Sequence, residues 1–143
     1  MSNLTNLQFL DISHSRELND DSLKIIGKLY NLKELDISEC DSITDNGIKY
    51  LSTLSNLEKL NLNNCDGLIG KKNPVSFNSM QKLKIIDLQW CINLARIDIS
   101  KLINLTNIYL DGCDQIIEIK LKSSLKDLLS TYNSYEKIYK WID

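Results

Sequence analysis

Apolar residues recur along this chain in a short phrase, Leu-x-x-Leu-x-Leu-x-x-Cys, and not in one unbroken helical or strand period. Its copies read Leu7/Leu10/Ile12/Ser15, Leu32/Leu35/Ile37/Cys40, Leu57/Leu60/Leu62/Cys65, Leu83/Ile86/Leu88/Cys91 and Leu105/Ile108/Leu110/Cys113, with a weaker sixth at Leu125/Leu128/Ser130/Asn133. The first leucines lie 25, 25, 26, 22 and 20 residues apart. A fixed return of one small unit is the mark of stacked repeats. Inside each phrase the apolar and polar residues alternate, which predicts a brief strand. Another apolar anchor, Leu4, Leu29, Leu54, Met80 or Leu102, stands three residues before each of the first five and closes the preceding helical phrase.

The intervals between strands differ. "SRELNDDSLKIIGKLYNL" and "CDSITDNGIKYLSTLSNL" have helical spacing. "DGLIGKKNPVSFNSMQKL" holds Gly70 and Pro74, which predict a looser loop and then a short helix from about Ser76. "NLARIDISKLINL" and "QIIEIKLKSSL" alternate again, so extended chain or tight 3₁₀-like turns are expected there. In "SYEKIYKWID", Tyr135, Ile138, Tyr139 and Ile142 stand at helical spacing with Ser134 available as N-cap, which predicts a capping helix over 134–143. No single unit buries enough apolar surface to offset its own ordering entropy, so stability must come from neighbours.

The Cys-ending strand phrase followed by "ITDNGI" resembles the leucine-rich repeat proteins, and in particular their cysteine-containing subclass. "SRELNDDSLKIIGKLYNL" is the same sentence with Ser for Cys and no Gly before its Leu23. The resemblance implies an α/β leucine-rich repeat solenoid, a curved right-handed arc with short parallel strands on its concave side and helices or turns on its convex side. One domain over 1–143 is expected, with about six repeats whose strand motifs start near 7, 32, 57, 83, 105 and 125. The subclass also resembles the substrate-recruiting part of F-box ubiquitin ligase subunits. That role would require an N-terminal region bearing the F-box.

Composition narrows the partners. The chain has 143 residues, 43% hydrophobic and 25% charged, with a net charge of −2 and scattered basic residues. Nothing resembles the positive stripe a nucleic acid needs, so none is expected. No apolar run approaches the roughly 20 residues of a membrane span, and "MSNLTNLQFLDIS" lacks a signal sequence's basic and apolar regions, so the expected address is cytoplasmic or nuclear, with no membrane partner.

Catalytic chemistry finds little footing. The spacings of Cys40, Cys65, Cys91 and Cys113 follow the repeat and not the Cys-x₂₋₄-Cys pairs of zinc sites, so reduced core thiols are expected. His14 is the one histidine, and "DGLIGKKN" lacks the phosphate-loop spacing. Asp11 and Asp36 share motif position five on adjacent strands, which fits a solvated face better than an acid/base pair. No enzyme, cofactor, metal or small-molecule ligand is expected.

The residues between the inward leucines should face a protein partner on the concave side. Over the first three rungs these include Asp11, Glu34, Asp36, Glu39 and Lys59, a charged region whose repulsion a basic or polar segment would relieve. Over the last three they include Ile85, Asp87, Trp90, Tyr109, Asp111, Leu129 and Tyr132, with the apolar and aromatic groups free to anchor a contact. A second expectation is self-association or stacking through the uncapped N-terminal edge.

Overall fold

A computed structural model describes residues 4–129 and 139–141. In each of the first five phrases three residues form a strand: β1 (Phe9–Asp11), β2 (Glu34–Asp36), β3 (Lys59–Asn61), β5 (Ile85–Asp87) and β7 (Asn107–Tyr109). They pair in parallel in the order β1-β2-β3-β5-β7. Leu10, Leu35, Leu60, Ile86 and Ile108 therefore form one row across the sheet, turned inward. From the second rung on, this row is almost completely buried, whereas Leu10 in the edge strand is only half-buried.

Two helices cover the far side of the early rungs. In α1 (Asp20–Ile26) Asn19 caps the helix by accepting from the Asp21 and Ser22 amides, and Leu23 and Ile26 turn inward. In α2 (Asp45–Tyr50) the Thr44 hydroxyl accepts from the Asn46 amide, and Ile48 turns inward. The helices are tied to the next rung by carboxylates. Asp20 accepts from the Thr44 amide and hydroxyl at 2.8 and 2.7 Å, and Asp45 accepts from the amides of Ile69 and Gly70 at 2.9 Å each. The side chain of any other residue at Gly47 would run into Asp20, so the Gly of "ITDNGI" leaves room for this tie.

Past Ile69 the convex side becomes a second parallel sheet, β4 (Val75–Ser76), β6 (Arg96–Asp98), β8 (Glu118–Leu121) and β9 (Tyr139–Trp141), paired in that order. The extended chain expected for the fourth and fifth repeats is thus present as β6 and β8. The helix expected from about Ser76 is absent: Val75 and Phe77 are buried with Ser76 exposed between them, an alternation of strand period. The capping helix expected over 134–143 is likewise contradicted where the chain is described. Residues 139–141 pair as a strand with β8, Ile119 opposite Tyr139 and Leu121 opposite Trp141, because the hydrogen-bonding edge of β8 offers partners that a helix would leave unmet. The remainder of that segment lies outside the described residues.

The sixth strand motif near 125 is also corrected. Ser123–Leu129 is a 3₁₀ segment, and Leu125 and Leu129 are both buried. The motif's third apolar position is Ser130 there, so alternation fails, and two leucines four residues apart pack instead like one helical turn.

The core between the two layers is continuous from Leu18 to Leu129. Two side-chain ladders hold the rungs in register. Asn31, Asn56 and Asn104, each just before a motif's first leucine, donate through Nδ2 to the previous rung's carbonyls at Thr5, Tyr30 and Gln81 (2.7, 3.0 and 2.9 Å). The four cysteine thiols do the same further in, donating to the carbonyls of Ile12, Ile37, Leu62 and Leu88 at 3.8, 3.3, 3.2 and 2.9 Å.

Candidate functional site

Because side chains alternate along a strand, burying the middle residue of each strand turns the outer two toward the concave side. Register then sets them in rows: Phe9, Glu34, Lys59, Ile85 and Asn107 form one, and Asp11, Asp36, Asn61, Asp87 and Tyr109 the other. Between them lies an open groove of about 580 Å³. Of the residues expected on this face, Asp11, Glu34, Asp36, Lys59, Ile85, Asp87 and Tyr109 line the groove. Glu39, Trp90 and Asp111 stand on the turns that leave the strands. Leu129 is not on the face at all, being 1% exposed in the core for the reason given above, and Tyr132 lies outside the described residues. Phe9, 60% exposed, was not among the expected contacts, although its motif position, shared with Glu34, Lys59 and Ile85, marks it as one.

The row of acids is better satisfied than a list of charges suggests. Asp11 Oδ1 accepts from the amide and hydroxyl of Ser13 at 3.0 and 2.8 Å, and these bonds hold its carboxyl below the usual range. Asp36 Oδ1 accepts likewise from Ser38 at 3.0 and 2.7 Å, while its Oδ2 takes Asn61 Nδ2 at 2.8 Å. Burial pushes the Asp87 carboxyl up, against hydrogen bonds from Gln89 and Asn63 and with the charges of Asp36 and Asp111 adding to the rise. Lys59 pairs with Glu34 at 2.8 Å, and His14 Nδ1 lies 2.7 Å from a Glu39 oxygen. The repulsion expected between Asp11 and Asp36 is therefore relieved in part by the protein's own Ser and Asn groups.

The turns have a common geometry. His14, Glu39, Asn64, Trp90 and Gly112, at motif position eight of successive rungs, all have positive φ, between 54° and 77°. Trp90 is the bulkiest of them, at +60° and 57% exposed. Its six-membered ring rests on Gly112 of the next rung, where any Cβ would collide with Cδ2, Cε3 and Cζ3. Asp111 beside it accepts Gln89 Nε2 at 2.6 Å.

Other sites offer less. All four cysteines are free and buried, and burial pushes the thiol of Cys65 up to about 12 and that of Cys113 up to about 11, far from a nucleophile's range. Among the described residues no group of three His, Cys, Asp or Glu side chains could hold a metal ion, and no helix is long and apolar enough to cross a membrane. A second depression, about 500 Å³ on the convex side, lies beside α2 and the 71–76 segment and carries Lys49, Lys71 and Lys72.

Residues 3–126 match the family described as plant disease resistance protein RPS2-like, leucine-rich repeats. Among solved structures, internalin C2 from Listeria monocytogenes is similar at 16% identity and a TM-score of 0.32, over 97% of this chain and 82% of that one. No curated protein matches the chain.

Proposed function

Since the chain belongs to the leucine-rich repeat family, whose domains generally mediate protein–protein interaction, we propose that its concave sheet is a non-catalytic docking surface for a protein segment. The observation that carries this reading is the groove itself, which gathers nine outward side chains from five strands onto one face while the residues between them fill the core. At about 4.8 Å between strands, five strands span roughly 19 Å, the length of about six extended residues. The partner's main contact would be a segment of that size crossing the strands. A recruiting role in a ubiquitin ligase is a finer form of the same proposal and is supported by the cysteine-ending motif alone. The free thiols support a cytoplasmic or nuclear address.

The test is affinity capture followed by mass spectrometry, comparing the native chain with Ile85→Lys/Tyr109→Ala and with a convex control, Lys72→Glu. Partners lost with the concave variant and kept with the control support the reading, provided both variants melt within a few degrees of the native chain. Equal capture by all three removes the concave face from the site.

A specific observation favours one other reading, self-association through β1. In this edge rung Leu4 and Phe9 are 57% and 60% exposed, and Leu7, Leu10 and Ile12 are only partly buried. Light scattering over a hundredfold concentration range decides it, and a constant monomer mass rejects it.

A further inference from the structure

The concave face and its rim concentrate negative charge. Asp11, Glu34, Asp36, Glu39, Asp87 and Asp111 are opposed by Lys59, which already pairs with Glu34, while the whole chain is only −2. At the C-terminal end of this face the turn carries an exposed indole. Trp90 occupies a left-handed position that bulky residues avoid, its amide donates to Asp111 O at 2.7 Å, and its ring is supported from beneath by Gly112. Asp111 is exposed beside that ring, and Gln89 donates to its Oδ2. A supported aromatic plane with a carboxylate at its side, on an acidic surface, suits a planar and weakly hydrated cation. Guanidinium meets both demands, because it stacks on indole and donates a fork of N–H groups to a carboxylate. An ammonium satisfies the charge but not the stacking geometry, and a neutral sugar ring would leave the charge unanswered.

We propose that Trp90, seated on Gly112, and Asp111 form a subsite for an arginine side chain in the basic protein segment that docks on the concave face. The inference rests on the docking reading above and adds to it the chemistry of one anchor. It also accounts for an aromatic residue standing where the other rungs have His14, Glu39, Asn64 and Gly112.

The experiment is a titration of the isotopically labelled full chain, followed by amide and indole N–H resonances. The probes are eight-residue Gly/Ser peptides carrying a central Arg-x-Arg, Lys-x-Lys or citrulline-x-citrulline. The arginine peptide should shift the Trp90 indole and the Asp111 and Gly112 amides, with binding at least tenfold tighter than for either other peptide. Asp111→Asn should weaken it about tenfold, and Gly112→Ala should disperse the indole response. Silence at Trp90 up to millimolar arginine peptide overturns the inference, as does an equal response to citrulline or to methyl glucoside. The amides of 9–11, 34–36 and 59–61 report on the docking reading separately. Shifts there without Trp90 sink the arginine subsite and leave the groove standing.

Discussion

At Asp36 one oxygen ends a strand and the other reaches the next rung. Oδ1 takes the amide and hydroxyl of Ser38, which turns the chain out of the sheet, and Oδ2 takes Asn61. The spacing Asp-x-Ser recurs at Asp11/Ser13 and Asp98/Ser100 with the same bonds, so this turn was legible in the sequence once position five was read together with position seven. Taken alone, Asp11 and Asp36 looked like unrelieved like charges. The cysteines make a sharper residue-scale prediction. Their folded-state pKa values lie above the ordinary 9.0, at about 12 for Cys65 and about 11 for Cys113, so the unfolded chain loses these protons first. The stability they contribute is whole below pH 9 and is lost as pH rises through 11 to 12. Urea unfolding at pH 8, 9 and 10 should show a falling midpoint whose slope is shallower in Cys65→Ala/Cys113→Ala. At pH 8 the native thiols should resist maleimide that labels them all in urea. Gly112→Ala should cost about 1–2 kcal/mol, since φ is +77° there, and should shift Trp90 emission, which thermal melting and fluorescence would register.

The elements that bind one rung to the next are short, and two-residue to seven-residue pieces cannot stand by themselves. They hold because polar side chains cross between rungs. Asp20 reaching Thr44 and Asp45 reaching the 69–70 backbone repeat one device, a carboxylate in the first turn of a helix that caps the neighbour's loop. Asp20→Ala should lower stability by about 1.5–3 kcal/mol, the range for hydrogen bonds to a charged group, with Asp20→Asn losing less; urea midpoints at pH 7 check it. The two early helices were readable because their caps and apolar spacing agree. The Val75–Ser76 strand was not, since Gly70 and Pro74 are loop formers and a single alternation, Val75 to Phe77, is too short to outweigh them. At the C-terminus the Tyr and Ile residues fit a helical wheel as well as a strand, and what decides between them at 139–141 is the edge of β8, a partner more than fifteen positions away.

Over the whole molecule, the arc changes its backing midway. The first rungs place helices behind the sheet, the later ones a second sheet, and Phe77, the largest fully buried side chain among the described residues, sits where one gives way to the other. Nearest-neighbour stabilisation makes such a seam the weak point of a solenoid. Phe77→Ala should cost about 3–5 kcal/mol and should split one unfolding transition into two, with hydrogen exchange quickening first in β6 and β8. Equal loss of protection in β1 and β6 would reject this. The inward rows and most of the groove followed from periodicity, because stacking gives every inward position the same environment, whereas the curved arc with its convex backing was implied by the resemblance to leucine-rich repeat proteins. Leu129 escaped because a periodic register was extended one rung beyond the point where Ser130 breaks it.

The second sheet has a further consequence. From Val75 onward the inward residues return every eleven positions: Val75, Ile86, Ile97, Ile108 and Ile119, with Phe77, Leu88, Ile99, Leu110 and Leu121 beside them, and all are buried. Successive halves go alternately to front and back, so the interior is built from nearly interchangeable bricks. The two outer walls need share nothing. Arg96, Glu118 and Lys120 on the back could be rewritten without disturbing Ile85, Asp87 or Tyr109 on the front, which leaves this part of the chain free to acquire a second, unrelated specificity on a scaffold it already has.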